Sequence, residues 1–262
     1  MRFFWDNFID LATTTITSAT QSLTLPDDNV AHQHKKKVYR TGLGLVTGVE
    51  SDTEWIKFDL GSAKAIDGFA LLNHTLDGTE TAVNIEGHAS DDFGTPTFSE
   101  AVTVTSDPAF NKFSSAQSFR WWRFEFTKAS AGTARDLGRI FLGDVYDATE
   151  DPDAKGYADE VVEKSITKKS IDGQSYTYIK DEYDKIKTTF KSISLAQAIK
   201  FKTIFDSLGN HTPLLIQVNP AVSDGVREVM HYVKFVKGLK RKVSSYTDEL
   251  KWDVALEFEE QL

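Results

Sequence analysis

The chain has no cysteine, only two methionines and only six prolines in 262 residues. Without cysteine there are no disulfides, no thiolate metal sites and no cysteine nucleophile, which fits synthesis in a reducing compartment. No run of about 18 apolar residues occurs, so no membrane-crossing helix is expected. At the start, "MRFFWDNFIDLATTTITSA", Asp6, Asn7 and Asp10 interrupt any apolar stretch, and no secretion signal is read there. The expectation is a soluble protein made in the cytoplasm, with no membrane insertion. Excess positive charge is lacking too. Residues 1–147 hold 13 Lys and Arg against 20 Asp and Glu, and residues 148–262 hold 17 against 19. Displacing counterions from phosphates needs a basic surface, so nucleic acid is not an expected partner. A Gly-rich phosphate loop, a G-x-S-x-G elbow and an H-E-x-x-H helix are all missing. Adjacent carboxylates such as Asp91 and Asp92 point apart on a strand, whereas acid–base pairs must converge on one substrate. Neither an enzyme nor a cofactor is expected.

What the chain does have is short-period alternation. Over residues 1–147 apolar residues alternate in runs separated by turn residues, the pattern of antiparallel strands. "WIKFDL" places Ile56, Phe58 and Leu60 on one face and Trp55, Lys57 and Asp59 on the other. Gly61 and Ser62 are then read as a turn into a second strand, "AIDGFALLNH". "TAVNIEGHA", "EAVTVT", "SFRWWRFEF" and "LGRIFLGDVYD" follow as further strands. In "FRWWRFEF" the set Arg120, Trp122, Phe124 and Phe126 is expected to face inward, opposite Phe119, Trp121, Arg123 and Glu125. So many rings on strands predict a sheet-on-sheet core.

After "YDATEDPDAKGYADEVVEKS", residues 146–165, which reads as a linker around Pro152 and Gly156, the character changes. Asp172-Gly173 marks a hairpin starting near Val162. Ser194 is an N-cap, apolar positions recur from Leu195 through Ala198, Ile199, Phe205 and Leu208, and Gly209-Asn210 closes a helix over about 194–208. "HTPLLIQVNP", "REVMHYVKFVKGLKRKVSS" and "DELKWDVALEFEEQL" supply more strands. The fold class expected is mainly β: an N-terminal jelly-roll β-sandwich over 1–147, and a β-sandwich or barrel with one α-helix over 148–262.

The candidate binding segment is the loop "LPDDNVAHQHKKKVYRTG", residues 25–42. Its residues Asn29, His32, Lys35, Lys36, Lys37, Tyr39 and Arg40, with Trp5, make up the candidate ligand site, Tyr39 or Trp5 stacking on a ligand and the polar groups hydrogen bonding to it. The alternative for this loop is a solvated connector. His32 and His34 near Asp27 and Asp28 raise the question of a metal, and no metal site is assigned.

Residues 55–61, "WIKFDLG", residues 87–92, "GHASDD", and residues 120–123, "RWWR", resemble the W-[IV]-x-[FIVL]-D-L-G, x-G-S-D-D and R-[YW]-[VWL]-R elements of the galactose-binding-like, discoidin-type jelly roll. The second departs from the pattern by two residues inserted before Ser90. The resemblance, over about residues 5–147, implies ligand binding at loops on one end of a sandwich. "DGQSYTYIKDEYDKIKTTFKSIS", "FDSLGNHTPLLIQVNP" and "WDVALEFEEQL" resemble the C-terminal part of tail proteins of long-tailed bacteriophages, with Asp-Gly-Gln standing where Gly-Gly is usual. That resemblance implies a distal tail or hub protein of the virion, self-associating as a ring of six on the tail tube, contacting other tail-tip proteins and projecting the sandwich toward host surface glycans. The alternative is a carbohydrate-binding adhesin whose N-terminal sandwich does the work.

Overall fold

The computed structural model describes residues 1–41, 46–47, 53–76, 82–104, 107–127, 134–149, 152, 157–163, 165–178, 182–218, 230–245 and 250–261. Residue 42 of the candidate loop and residues 150, 151, 153–156 and 164 of the linker reading lie outside these. The larger elements in chain order are β1 (Arg2–Asn7), β2 (Thr15–Ser18), β3 (Thr53–Leu71), β4 (Ala82–His88), β5 (Phe98–Ala101), β6 (Ala109–Thr127) and β7 (Ile140–Asp147). They continue with β8 (Ala158–Glu163), β9 (Ile166–Lys169), β10 (Ser175–Tyr178), β11 (Glu182–Ile193), α1 (Leu195–Leu208), β12 (Leu214–Gln217), β13 (Met230–Phe235), β14 (Lys240–Ser245) and β15 (Lys251–Glu260). The chain is mainly β with one α-helix among the described residues. It divides into two compact units, Arg2–Asp147 with Leu215–His231, and Ala148–Leu214 with Tyr232–Leu262 and Met1.

In the first unit the strands run β5-β4-β6-β3-β7-β1-β12, with β2 beside β3, and each of these pairings is antiparallel. β3 and β6 have 19 residues each. Straight, such a strand spans about 60 Å, more than the width of a unit of this size. Both therefore bend, and the register between them jumps between Asp59 and Lys64 and again between Ile66 and Gly68. The bend turns the two halves of each strand toward one another. Phe69 in the second half of β3 meets Phe124 in the second half of β6 edge-on at 5.4 Å, and Phe113 stacks on Trp122 at 5.9 Å. One pair of long strands thus contributes to both layers of a sandwich, closed on Trp122, Phe124, Phe126, Ile56, Phe58 and Leu142, all essentially without exposure.

Two expectations need correcting here. Gly61 and Ser62 do not end a strand: Gly61 takes φ +74° inside β3, where its N–H bonds Asp59 Oδ1 at 2.9 Å. A glycine at the bend supplies the left-handed backbone that a β-bulge demands. The same irregularity breaks the alternation in β6. Phe119, expected outside, packs on the core, and Arg120, expected inside, is exposed and forks onto Asp59 with two bonds of 2.7 Å.

In the second unit β15 lies between β11 and β14, and the end of β13 pairs with it as well. Its inward residues Val254, Leu256 and Phe258 are buried, and so are Ile186 and Phe190 of β11. α1 supplies the other wall. Ser194 Oγ accepts from Gln197 N, and Gly209 at φ +57° ends the helix. Phe201 lies 4.7 Å from Phe190, and Phe205 and Phe258 both pack on Phe235. The buried helix face is Ala198, Phe201, Ile204 and Leu208; Leu195 and Ile199, expected to face inward, are 44% and 49% exposed. The hairpin of β9 and β10 forms around Gly173, and β8, inside the stretch read as linker, pairs with β11.

Candidate functional site

The register of three strands determines what the first unit shows on its outward face. β6 is central, with β3 on one side and β4 on the other. Lys57, Arg123 and Glu86 fall opposite one another in one row, Trp55, Glu125 and Asn84 in the next, and Asp59, Trp121 and His88 in the third. These side chains alternate with the buried ones, so each faces away from the core. The loop after β4 carries Asp91 and Phe93 up beside them.

A cavity of about 570 Å³ opens on this face, lined by Trp55, Lys57, Glu86, Asp91, Phe93, Gly94, Pro96, Arg123 and Glu125. Its polar groups are held in place by one another. The Arg123 guanidinium donates to Glu86 Oε2 through Nε at 2.7 Å, with Nη2 at 2.6 Å from the same oxygen and 2.9 Å from Glu125 Oε2. It also lies over the Phe93 ring at 4.7 Å. Nη1 takes no bond among the described residues, so the guanidinium keeps donors for a ligand. Lys57 Nζ donates to both oxygens of Asp91, at 2.6 and 2.8 Å, and sits between two indoles, 5.1 Å from Trp55 and 5.4 Å from Trp121. Burial pushes the Glu125 carboxyl up, the charge of Arg123 opposes this and that of Glu86 adds to it. The face therefore combines fixed donors, fixed acceptors and flat rings within one cavity, the composition of a small-molecule site.

The loop expected to bind behaves differently. Trp5 is 7% exposed and Tyr39 fully buried, so neither ring can stack on a ligand. Trp5 belongs to the paired strand β1. The Tyr39 hydroxyl donates to Thr20 O at 2.7 Å, and burial, then the nearby Glu54 charge, push its pKa up. Asn29 spends its amide on Val38 O, and Arg40 forks onto Asp136 with two bonds of 2.6 Å. The carbonyl of Lys35 accepts from Asn73 Nδ2; Lys36 and Lys37 are exposed. His32 and His34 are brought together, their rings stacked at 5.3 Å with His34 N donating to His32 Nδ1. None of these eight candidates lines the cavity. Asp27 is buried and accepts from Ser18 Oγ. Among the described residues no three His, Cys, Asp or Glu side chains converge as a metal site would require.

The sequence did carry a signal for the cavity: two indoles, a lysine, an arginine and a glutamate on the outward phase of two strands. What it could not supply was the register that joins Lys57, Arg123 and Glu86 in one row.

No protein-family model matches this chain, and no curated protein matches it. Among solved structures, it is similar over 53% of its length to a chitosan-binding module from a chitosanase/glucanase of Paenibacillus sp. IK-5, at 20% identity, 99% coverage of that chain and a TM-score of 0.39. It is similar over 54% of its length to a fucose-binding module of Streptococcus pneumoniae, at 14% identity, 99% coverage of that chain and a TM-score of 0.42. A family 32 carbohydrate-binding module of Clostridium perfringens NanJ, solved with galactose, matches 56% of this chain at 10% identity, with 100% of that module covered and a TM-score of 0.42. The tail-protein resemblance of residues 165–262 has no counterpart among these three.

Proposed function

We propose that the first unit is a carbohydrate-binding module and that its ligand lies on the outward face of β3, β6 and β4, against Trp55 and Phe93. One observation carries this reading: Arg123, anchored by two carboxylates and backed by the Phe93 ring, presents free Nη1 donors in a cavity walled by Trp55. A sugar ring offers an apolar face for stacking and a rim of hydroxyls that both donate and accept, and the cavity matches both. Binding without bond cleavage is part of the proposal, since Glu86 and Glu125 are joined through one guanidinium. A glycan array probed with the full chain tests it. Binding to at least one neutral oligosaccharide is expected, weakened about tenfold by Trp55→Ala, the scale of one lost stacking contact. A blank array, or an unchanged profile for the variant, would overturn the reading.

A second reading, a structural component of a phage tail tip that self-assembles, rests on the sequence pattern of the second half and on one feature of its hairpin. Ile166, Tyr176 and Tyr178 lie on one face of β9 and β10 and are 42%, 53% and 61% exposed. An isolated two-stranded ribbon is marginal in water, and apolar rings on it suit contact with other chains. Native mass measurement tests this: a ring supports it, a monomer at all concentrations counts against it.

A further inference from the structure

The outward face of β15 carries Asp253, Ala255, Glu257 and Glu259 in alternation, and its flanking strands carry lysines. Glu259 lies between Lys185 of β11 and Lys234 of β13. Glu257 is opposite Lys187, and it accepts from Lys237 Nζ at 2.8 Å. Asp253 is opposite Lys242. At the remaining position the ladder is interrupted: Ala255 lies between Thr189 and Lys240. Lys240, exposed, has no acidic partner among the described residues. A cavity of about 210 Å³ opens at that gap, lined by Lys187, Lys237, Lys240, Thr189 and Ala255 among others.

We infer that this gap is a binding site for a tetrahedral oxyanion, a phosphate or sulfate group seated over Ala255 among Lys187, Lys237 and Lys240. Three lysines line it against two carboxylates, Glu257, already taken by Lys237, and Glu160, 3.6 Å from Lys187, so Lys240 is the cation left for an anion. Held by the hydrogen bond from Lys237, with Lys187 and Lys185 adding positive charge, the Glu257 carboxyl sits below its usual range despite some burial. No arginine lines the cavity, so the planar fork that suits a carboxylate is absent; lysines act as separate point charges and suit an oxyanion with three oxygens to share. The volume exceeds that of a single oxyanion, which leaves room for the small organic group of a phosphate or sulfate ester.

Thermal shift and calorimetric titration of the full chain test this, with inorganic phosphate, inorganic sulfate, glucose 6-phosphate and acetate as probes at matched ionic strength, because exposed charges are screened by salt. Phosphate and sulfate are expected to raise the Tm and acetate to leave it unchanged; glucose 6-phosphate binding more tightly than phosphate identifies an ester as the natural ligand, and equal binding identifies the free anion. Lys240→Ala should weaken phosphate about tenfold, the scale of one charge-assisted contact. Ala255→Glu completes the ladder from within and should remove the response to phosphate while itself raising the Tm. No response at millimolar phosphate, acetate acting as well as phosphate, or unchanged binding in Lys240→Ala would each overturn the inference. Should Ala255→Glu fail to fold, Lys240→Ala decides.

Discussion

The two units follow the same rule, alternation on antiparallel strands, and show solvent different faces. The first presents rings and ion pairs together: Trp55, Trp121 and Phe93 around Lys57, Arg123 and their carboxylates. On β15 and its neighbours the second presents a ladder of lysines and acids. The cores differ in the same direction. Bent strands fold aromatic rings onto one another in the first, whereas the second relies on a helix to cover one side of its sheet. A flat face with rings suits an uncharged ligand that has apolar and hydroxyl surfaces, and a lysine ladder with a gap suits an anion. The difference between the two faces follows from which residue types occupy the outward phase of each sheet.

Core truncations should break the comparison most severely. Trp122→Ala in the first unit and Phe201→Ala in the second each remove a buried ring and should cost about 3–5 kcal/mol, read from urea denaturation of the full chain. The next effect is confined to the first unit. A Cβ added at Gly143 would lie 1.7 Å from the carbonyl oxygen of Asp6, so Gly143→Ala must push β1 away from β7 and should cost about 1–3 kcal/mol. A comparable cost for Gly238→Ala would contradict this steric account, because nothing lies within 4 Å of that position and its φ is not left-handed. Ser194→Ala sharpens the account of the second unit: loss of the N-cap bond to Gln197 should cost about 1 kcal/mol and lower helicity by circular dichroism.

The smallest effect is the pH dependence. Burial alone would raise the Asp147 carboxyl, but hydrogen bonds from Arg2 and Lys112 outweigh it and hold the group below its ordinary range. A depressed folded-state pKa stabilises the fold above the unfolded value, and that stability is lost as pH falls through the folded one. Denaturation midpoints should therefore drop below about pH 4. Arg2→Gln should flatten the drop, and the effect is small because Asp147 is more than a third exposed.

Much of the fold was legible in the sequence, and the failures have physical causes. Trp122, Phe124 and Phe126 could be placed inside by alternation alone. Arg120 and Phe119 could not, since the bulge at Asp59 shifts the phase, and a glycine at a bulge reads the same as a glycine at a turn. Ser194, Gly209 and the hairpin at Gly173 were legible because caps and turns are local chemistry. The inward face of α1 was rotated from expectation: Leu195 and Ile199 fit the helical spacing but lie off the stripe made by Ala198, Phe201, Ile204 and Leu208. The candidate site was the least legible part. A loop rich in histidine, lysine and tyrosine resembles a binding loop, yet Asn29 is spent within that loop and Tyr39 on tying it to Thr20, whereas the cavity draws on strands brought side by side by long-range pairing.

The central claim, that ligand binds on the sheet face and not at the loop, is tested most directly by following backbone and side-chain N–H resonances of the full chain with an excess of neutral oligosaccharides. The account predicts shifts at the indole N–H of Trp55 and the guanidinium of Arg123, with the backbone N–H groups of Tyr39 and His32 unmoved. Shifts confined to residues 25–41 would contradict it.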